Sequence, residues 1–160
     1  MKKLILILFF IGITSVMAQD VNSYIELLRS DVKTEKKALI TEVMQFSEED
    51  ASKFWPIYKE YEFELDKLGD KRIAFIKEYA ENYQKMTDVK ADEIMQSAFN
   101  YQEERLDLKK DLYKSLKEKL SPSQAAKFIQ LEYQIQLLID LQINSELPLL
   151  EKTSNESETK

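Results

Sequence analysis

The sequence predicts an all-α protein built from four long, partly bent antiparallel helices. Three observations carry that prediction. Only two of the 160 residues are glycine, and only Gly69 lies beyond residue 18. Architectures of strands and tight turns consume glycine at their turns, so this scarcity excludes them. Apolar residues recur at spacings of three and four over stretches longer than thirty residues, the period of a helix face. Finally, residues suited to helix starts (Ser47, Thr87 with Asp88, and Ser121 followed by Pro122) stand at the head of three of those stretches.

The first twenty residues, MKKLILILFFIGITSVMAQD, belong to none of these helices. Lys2 and Lys3 precede an apolar run from Leu4 to Met17, and Val16 and Ala18 occupy the −3 and −1 positions of a cleavage site. That layout predicts a secretory signal peptide over 1–18. The run of about 14 residues falls short of the ~20 that span a bilayer, so no stable membrane insertion is expected. No cysteine follows, which argues against a lipid anchor and leaves packing, without disulfides, to hold an exported domain together.

The helical domain is expected over 19–145. Its first helix runs from about Ser23 to Met44, with Ile25, Leu28, Val32, Leu39 and Val43 on one face. The second runs from Ser47 to about Tyr83, along the stripe Phe54, Tyr58, Tyr61, Leu65, Leu68, Arg72, Phe75, Tyr79, Tyr83. This is a heptad-like seam interrupted by Arg72. Pro56 removes a backbone donor and predicts a kink near the start. The third helix follows Thr87 to about Lys119, with Ile94, Met95, Ala98, Phe99, Tyr101, Leu108, Leu112 and Leu116. The fourth follows Ser121 to about Ile143, with Phe128, Leu131, Ile135, Leu138 and Leu141 in a broad apolar face. The remainder, 146–160, reads as a polar, disordered tail in which Leu147, Leu149 and Leu150 could dock. Helices of roughly 45–55 Å carry apolar stripes longer than one thin subunit can cover, which predicts an elongated hairpin arrangement and a homodimer.

Composition narrows the chemistry. Basic residues number 23 and acidic residues 29; without Lys2 and Lys3 the balance is 21 against 29, a net charge of −8. Such a chain repels phosphate backbones, so nucleic acid is not an expected partner. There is no histidine and no cysteine. Usual zinc sites, cysteine–histidine nucleophiles, serine triads and Glu-x-x-His di-iron sites are therefore outside its means. The acidic runs Glu48, Glu49, Asp50 and Glu103, Glu104 read as solvated helix faces, and Met44, Met86 and Met95 do not cluster. A non-enzyme with no cofactor and no metal is expected.

One local feature stands out. FSEEDASKF at 46–54 returns as LSPSQAAKF at 120–128, so that Ser47, Ala51, Lys53 and Phe54 recur as Ser121, Ala125, Lys127 and Phe128. Each string reads as a capping box. The serine hydroxyl accepts from the N–H three residues on, and Asp50 or Gln124 reaches back to the serine N–H. Phe46 and Leu120 stand before the caps as staples. The aromatics of the second helix divide in two. Phe54, Tyr58 and Tyr61 read as core or dimer seam. Trp55, Ile57 and Phe63 fall off that stripe, among Lys53, Lys59, Glu60, Glu62 and Glu64, and are the candidate partner-binding residues.

With its two strings, the chain resembles the Spy/CpxP family of small periplasmic helical proteins, known for a twice-occurring Leu-Thr-x-x-Gln motif. LSPSQ carries serine for threonine; FSEED carries phenylalanine for leucine and aspartate for glutamine. FSEEDASKFWPIYKEYE also resembles helix starts in related small exported proteins of the Bacteroidetes. The resemblance spans residues 35–145. It implies long bent helices in which two subunits interleave into a cradle, a periplasmic location, and ATP-independent chaperoning of unfolding envelope proteins. It equally implies a regulatory partnership with an envelope stress sensor; a structural helical module without clients is the third reading. Some family members bind metal, but this chain lacks histidine. The family's best-known cradle is basic and this chain is acidic, so apolar contact is the expected mode of capture.

Overall fold

The structure, a computed structural model, describes residues 32–150, and every element among them is helical. The chain divides into two compact units, Met1–Leu39 and Ile40–Lys160. Of the first, residues 32–39 are described, as helix. The expected signal peptide over 1–18, the start of the first helix and the end of the tail lie outside the described residues. Helix α1 is residues 32–44, α2 is Glu48–Asn82, α3 is Asp88–Lys119 and α4 is Pro122–Ser145. A single 3-10 turn, Tyr83–Lys85, closes α2. No helix among the described residues is long and apolar enough to cross a membrane.

In the second unit, side-chain pairs set the topology. Lys90 meets Glu78 and Phe75 meets Tyr101, so α3 returns antiparallel to α2. Arg105 meets Asp140, which turns α4 antiparallel to α3. Phe54 meets Phe128 and Arg72 meets Asp140, so α4 runs parallel to α2. The core lies where the three helices and the end of α1 converge. It contains Ile40, Met44, Phe54, Tyr58, Tyr61, Leu112, Leu116, Leu120, Ala125, Phe128, Leu131 and Ile135. Phe54, Phe128, Ile40 and Leu116 are fully buried.

Burial follows the stripe of α2 only part of the way. Phe54, Tyr58, Tyr61, Leu68 and Arg72 are buried, whereas Leu65, Phe75, Tyr79 and Tyr83 are half-buried. The cause is length. At 1.5 Å per residue α2 is about 52 Å long and α4 about 36 Å, so the far end of α2 outlasts its parallel neighbour. Elsewhere the apolar stripes are broader than the buried faces. Val32 and Leu39 of α1, Met95 and Phe99 of α3, and Leu138 and Leu141 of α4 are exposed. On α1 the buried core side chains are Ile40 and Met44; the expected Val43 packs against them half-buried, and the expected Leu39 is exposed. Spacing marks an apolar side of a helix, but which part is covered depends on the angle at which a neighbour arrives.

α2 passes through Pro56 without interruption. Pro56 and Ser52, whose carbonyl loses its helical donor, are both exposed, so water can serve the freed carbonyl. At the α1–α2 turn, Gln45 takes a left-handed backbone (φ 48°) while its N–H donates to the Thr41 carbonyl at 3.2 Å. This is the position past a helix end where glycine is preferred, because a Cβ crowds the carbonyl. Gln45 is exposed, and its side chain adds no packing. Gln45→Gly is therefore expected to raise stability by about 0.5–1 kcal/mol, read as a higher urea midpoint at unchanged slope.

Candidate functional site

The two repeated strings lie against each other. α2 and α4 start at the same end of the unit, and their matched positions touch. The Gln124 amide donates to Asp50 Oδ2 at 2.8 Å, across 74 positions of sequence. Phe54 and Phe128, also 74 apart, meet edge to face at 4.8 Å. The repetition thus gives two parallel helices like first turns that pair in register. Leu120, before the second cap, is buried; Phe46, before the first, lies against Phe54 with ring centroids 4.7 Å apart.

The caps themselves differ. At α4 the box is complete: the Gln124 N–H donates to Ser121 Oγ at 3.2 Å, and the Ser121 N–H donates to Gln124 Oε1 at 3.0 Å. At α2 the Asp50 N–H donates to Ser47 Oγ at 3.1 Å, but the Asp50 carboxylate turns to Gln124 rather than back to Ser47. Only half of the expected first box forms, because its third residue is used to join the helices. The matched lysines also diverge. Lys53 pairs with Glu49, whereas Lys127 donates to the Val43 carbonyl at 2.7 Å and so satisfies an orphan acceptor at the end of α1. Ser47→Ala and Ser121→Ala should each cost about 1 kcal/mol. Gln124→Ala removes both the box and the link to Asp50 and should cost about 2 kcal/mol. Urea unfolding of the three variants checks that order.

Below the caps, the core carries a polar layer. Glu132 is fully buried, and its Oε1 accepts from the Tyr61 hydroxyl at 2.8 Å and from the Gln136 amide at 3.2 Å. Burial first, and then the Glu132 charge, push the Tyr61 and Tyr58 hydroxyls far above the ordinary phenol range. Both stay protonated, and Tyr61 stays a donor. One to two turns further along, Asp140 of α4 holds two guanidinium groups. Arg72 Nη1 donates to its Oδ1 at 2.6 Å, and Arg105 Nη2 lies 2.9 Å from its Oδ2. Both guanidiniums lie over the Tyr101 ring, at 5.6 and 5.2 Å. Burial alone would raise the Asp140 carboxyl. Hydrogen bonds and charge from Arg105, then Arg72, outweigh it and hold the group below its ordinary value. The break that Arg72 makes in the stripe of α2 is thus an inter-helix ion cluster. Each carboxylate of the layer meets donors, Tyr61 and Gln136 at Glu132 and the two arginines at Asp140.

Of the three candidate partner-binding residues, Trp55 and Ile57 are half-buried and pack against the core. Trp55 meets Phe54 edge to face at 5.1 Å and Tyr58 at 5.8 Å. Standing off the main stripe does not keep Trp55 clear, because its ring reaches sideways to the residues one position back and three positions on. Phe63 is 60% exposed, with Lys67 Nζ 4.3 Å above its ring. The structure does not bring Phe63 together with Trp55 and Ile57 on one open face.

An open apolar surface lies on α4. Leu137, Leu138 and Leu141 are 68%, 67% and 64% exposed, and Tyr133 is half exposed. At 100° per residue these four share the side of α4 opposite Phe128, Ile135 and Ile139, together with Gln130 and Gln134. Across its 24 residues α4 carries three charges, Lys127, Glu132 and Asp140; Glu132 and Asp140 lie outside the arc of these four, while Lys127 falls within it, one turn nearer the start of the helix than Gln130. Leu137 did not stand out in the sequence, since the apolar spacing assigns it to no seam. The signal that could have found it is the run YQIQLLI at 133–139, which carries no charge. A groove of about 330 Å³ between α2 and α3, lined by Lys71, Phe75, Glu78, Ser97, Tyr101 and Glu104 among others, is open to solvent. No group of three acidic, histidine or cysteine side chains among the described residues could hold a metal ion. No family model matches the chain, and no curated protein and no solved structure matches it either.

Proposed function

We propose that this protein is an exported, periplasmic, ATP-independent chaperone-like protein of the envelope stress response that shields apolar segments of unfolding proteins. The open apolar face of α4 carries this reading. Leu137, Leu138 and Leu141 offer apolar contact, and Gln130 and Gln134 beside them offer both donors and acceptors to a peptide backbone of any sequence. The occupant that fits is an extended, uncharged apolar segment whose main chain is still unpaired, as an unfolding protein exposes. A native partner would meet such a face with shape, whereas a leucine-and-glutamine surface is tolerant of many sequences. The acidic charge elsewhere keeps the complex soluble.

The test is suppression of aggregation. Purified protein, without nucleotide, is expected to prevent an unrelated protein from aggregating as it unfolds, at near-equal molar amounts. Unchanged light scattering at a severalfold excess of this protein would reject the reading in favour of a structural module or a dedicated regulator.

A further inference from the structure

A second surface, at the far end of α2, holds a piece of polypeptide by its main chain. After α4 the chain turns at Ser145 and Glu146, with the Leu147 N–H donating to the Asn144 carbonyl at 3.3 Å, and crosses to the last turns of α2. There the Tyr79 hydroxyl donates to the Pro148 carbonyl at 2.6 Å and the Tyr83 hydroxyl to the Leu149 carbonyl at 3.0 Å. The two rings stand 5.7 Å apart, Tyr79 in the last turn of α2 and Tyr83 at the start of the 3-10 turn that closes it, and match carbonyls of consecutive residues. The side chains of the held segment add little. Leu149 is 88% and Leu150 47% exposed, and Leu147 is half-buried. What the tyrosines contact is main-chain carbonyl, which every sequence has.

We propose that Tyr79 and Tyr83 form a peptide-binding site that reads the carbonyls of an extended apolar segment, and that residues 146–150 occupy it as a displaceable stand-in. The inference rests on the chaperone reading, and it adds a second contact and a form of self-blocking to it. A segment tethered directly to α4 competes at an effective concentration on the order of millimolar. Scarce ligand segments leave the site closed, and abundant ones displace the strap into the same pair of hydrogen bonds. Since Leu149 points to water, release costs the protein little apolar burial.

The experiment uses the full chain and the synthetic peptide SELPLLEK, its own residues 145–152, followed by NMR. Saturable binding in the millimolar range is expected. Backbone resonances of 146–150 should move toward their unstructured positions, while the Tyr79 and Tyr83 ring resonances remain near their starting values. Pro148→Gly loosens the strap without touching the tyrosines and should tighten apparent peptide affinity two- to fivefold. Tyr79→Phe with Tyr83→Phe should free 146–150 without peptide and weaken binding at least tenfold, with helical content unchanged. Absence of saturable shifts in the backbone of 146–150 of the wild-type chain overturns the proposal, as does a double phenylalanine variant that still holds 146–150. Peptide binding of this pattern without protection of any client keeps the site and rejects the chaperone reading. Protection of clients without peptide binding does the reverse.

Discussion

Phe128→Ala and Phe54→Ala should each cost about 3–5 kcal/mol and lower the melting temperature by on the order of 10–20 °C. Both side chains are fully buried, and both sit where α2 and α4 begin side by side. Phe54 is the more connected, with Phe46, Trp55, Tyr58 and Phe128 around it at 4.7–5.6 Å. Phe128 meets Phe54 and Tyr58. Neither site can close by a small movement, because the capped helix starts fix the backbone on both sides. Removing both rings should cost less than the sum of the single changes by about 0.5–1.5 kcal/mol, since their edge-to-face contact is lost only once. Phe63→Ala provides the contrast. It removes an equal ring from an exposed position and should cost under about 1 kcal/mol. Thermal unfolding followed by circular dichroism orders the set, and equal losses at Phe63 and Phe54 would contradict the packing described.

Asp140→Ala is expected to be the most damaging polar change. It leaves Arg72 and Arg105, 11% and 12% exposed at the side chain, facing each other without an anion. Breaking one partner of a buried charge pair costs about 3–5 kcal/mol. Asp140 keeps 19% of its side-chain surface in water, which places the expected cost lower, at about 2–3 kcal/mol. The same cluster sets a pH dependence. The Asp140 carboxyl lies below its ordinary value of 3.8 in the folded protein. Its stabilisation is therefore complete above that value and is lost as the pH falls through the lower folded one. Wild-type unfolding free energy should drop as the pH falls below the ordinary value of 3.8, and in Asp140→Asn the part of that drop due to this group should disappear. A variant whose acid profile parallels the wild type would remove Asp140 from the account.

Helix boundaries were legible because they are written in local chemistry. Ser47, Thr87 and Ser121 each accept from the N–H three residues on, at 3.1–3.2 Å, where the sequence places the caps. The aromatic seam from Phe54 to Tyr61 was legible for the same reason, a period sustained without a charge. What covers each face was not. Leu138 and Leu141 have the spacing of a seam but no neighbour, while Glu132 and Gln136, polar by composition, lie on the inner side of α4 because they share the face of Phe128 and Ile135. Arg72 looked like a defect in a stripe, and its partner lies 68 positions away, beyond the reach of any local pattern. The role of the repeated strings was half legible. Each is a helix start by itself, but that Asp50 and Gln124 meet follows from the parallel placement of α2 and α4, which only the folded arrangement supplies.

The central claim, that the open face of α4 binds apolar segments, is tested most directly by replacing Leu137, Leu138 and Leu141 together with glutamine. All three are more than 60% exposed and none belongs to the core, so the melting temperature should stay within about 3 °C of wild type. Glutamine keeps the helix and the hydrogen-bonding character of the face while removing its apolar area. Both proteins are titrated against the same aggregating client. The account predicts that the triple variant requires at least tenfold more protein for half-suppression. Equal suppression by the two proteins, at equal stability, would contradict it.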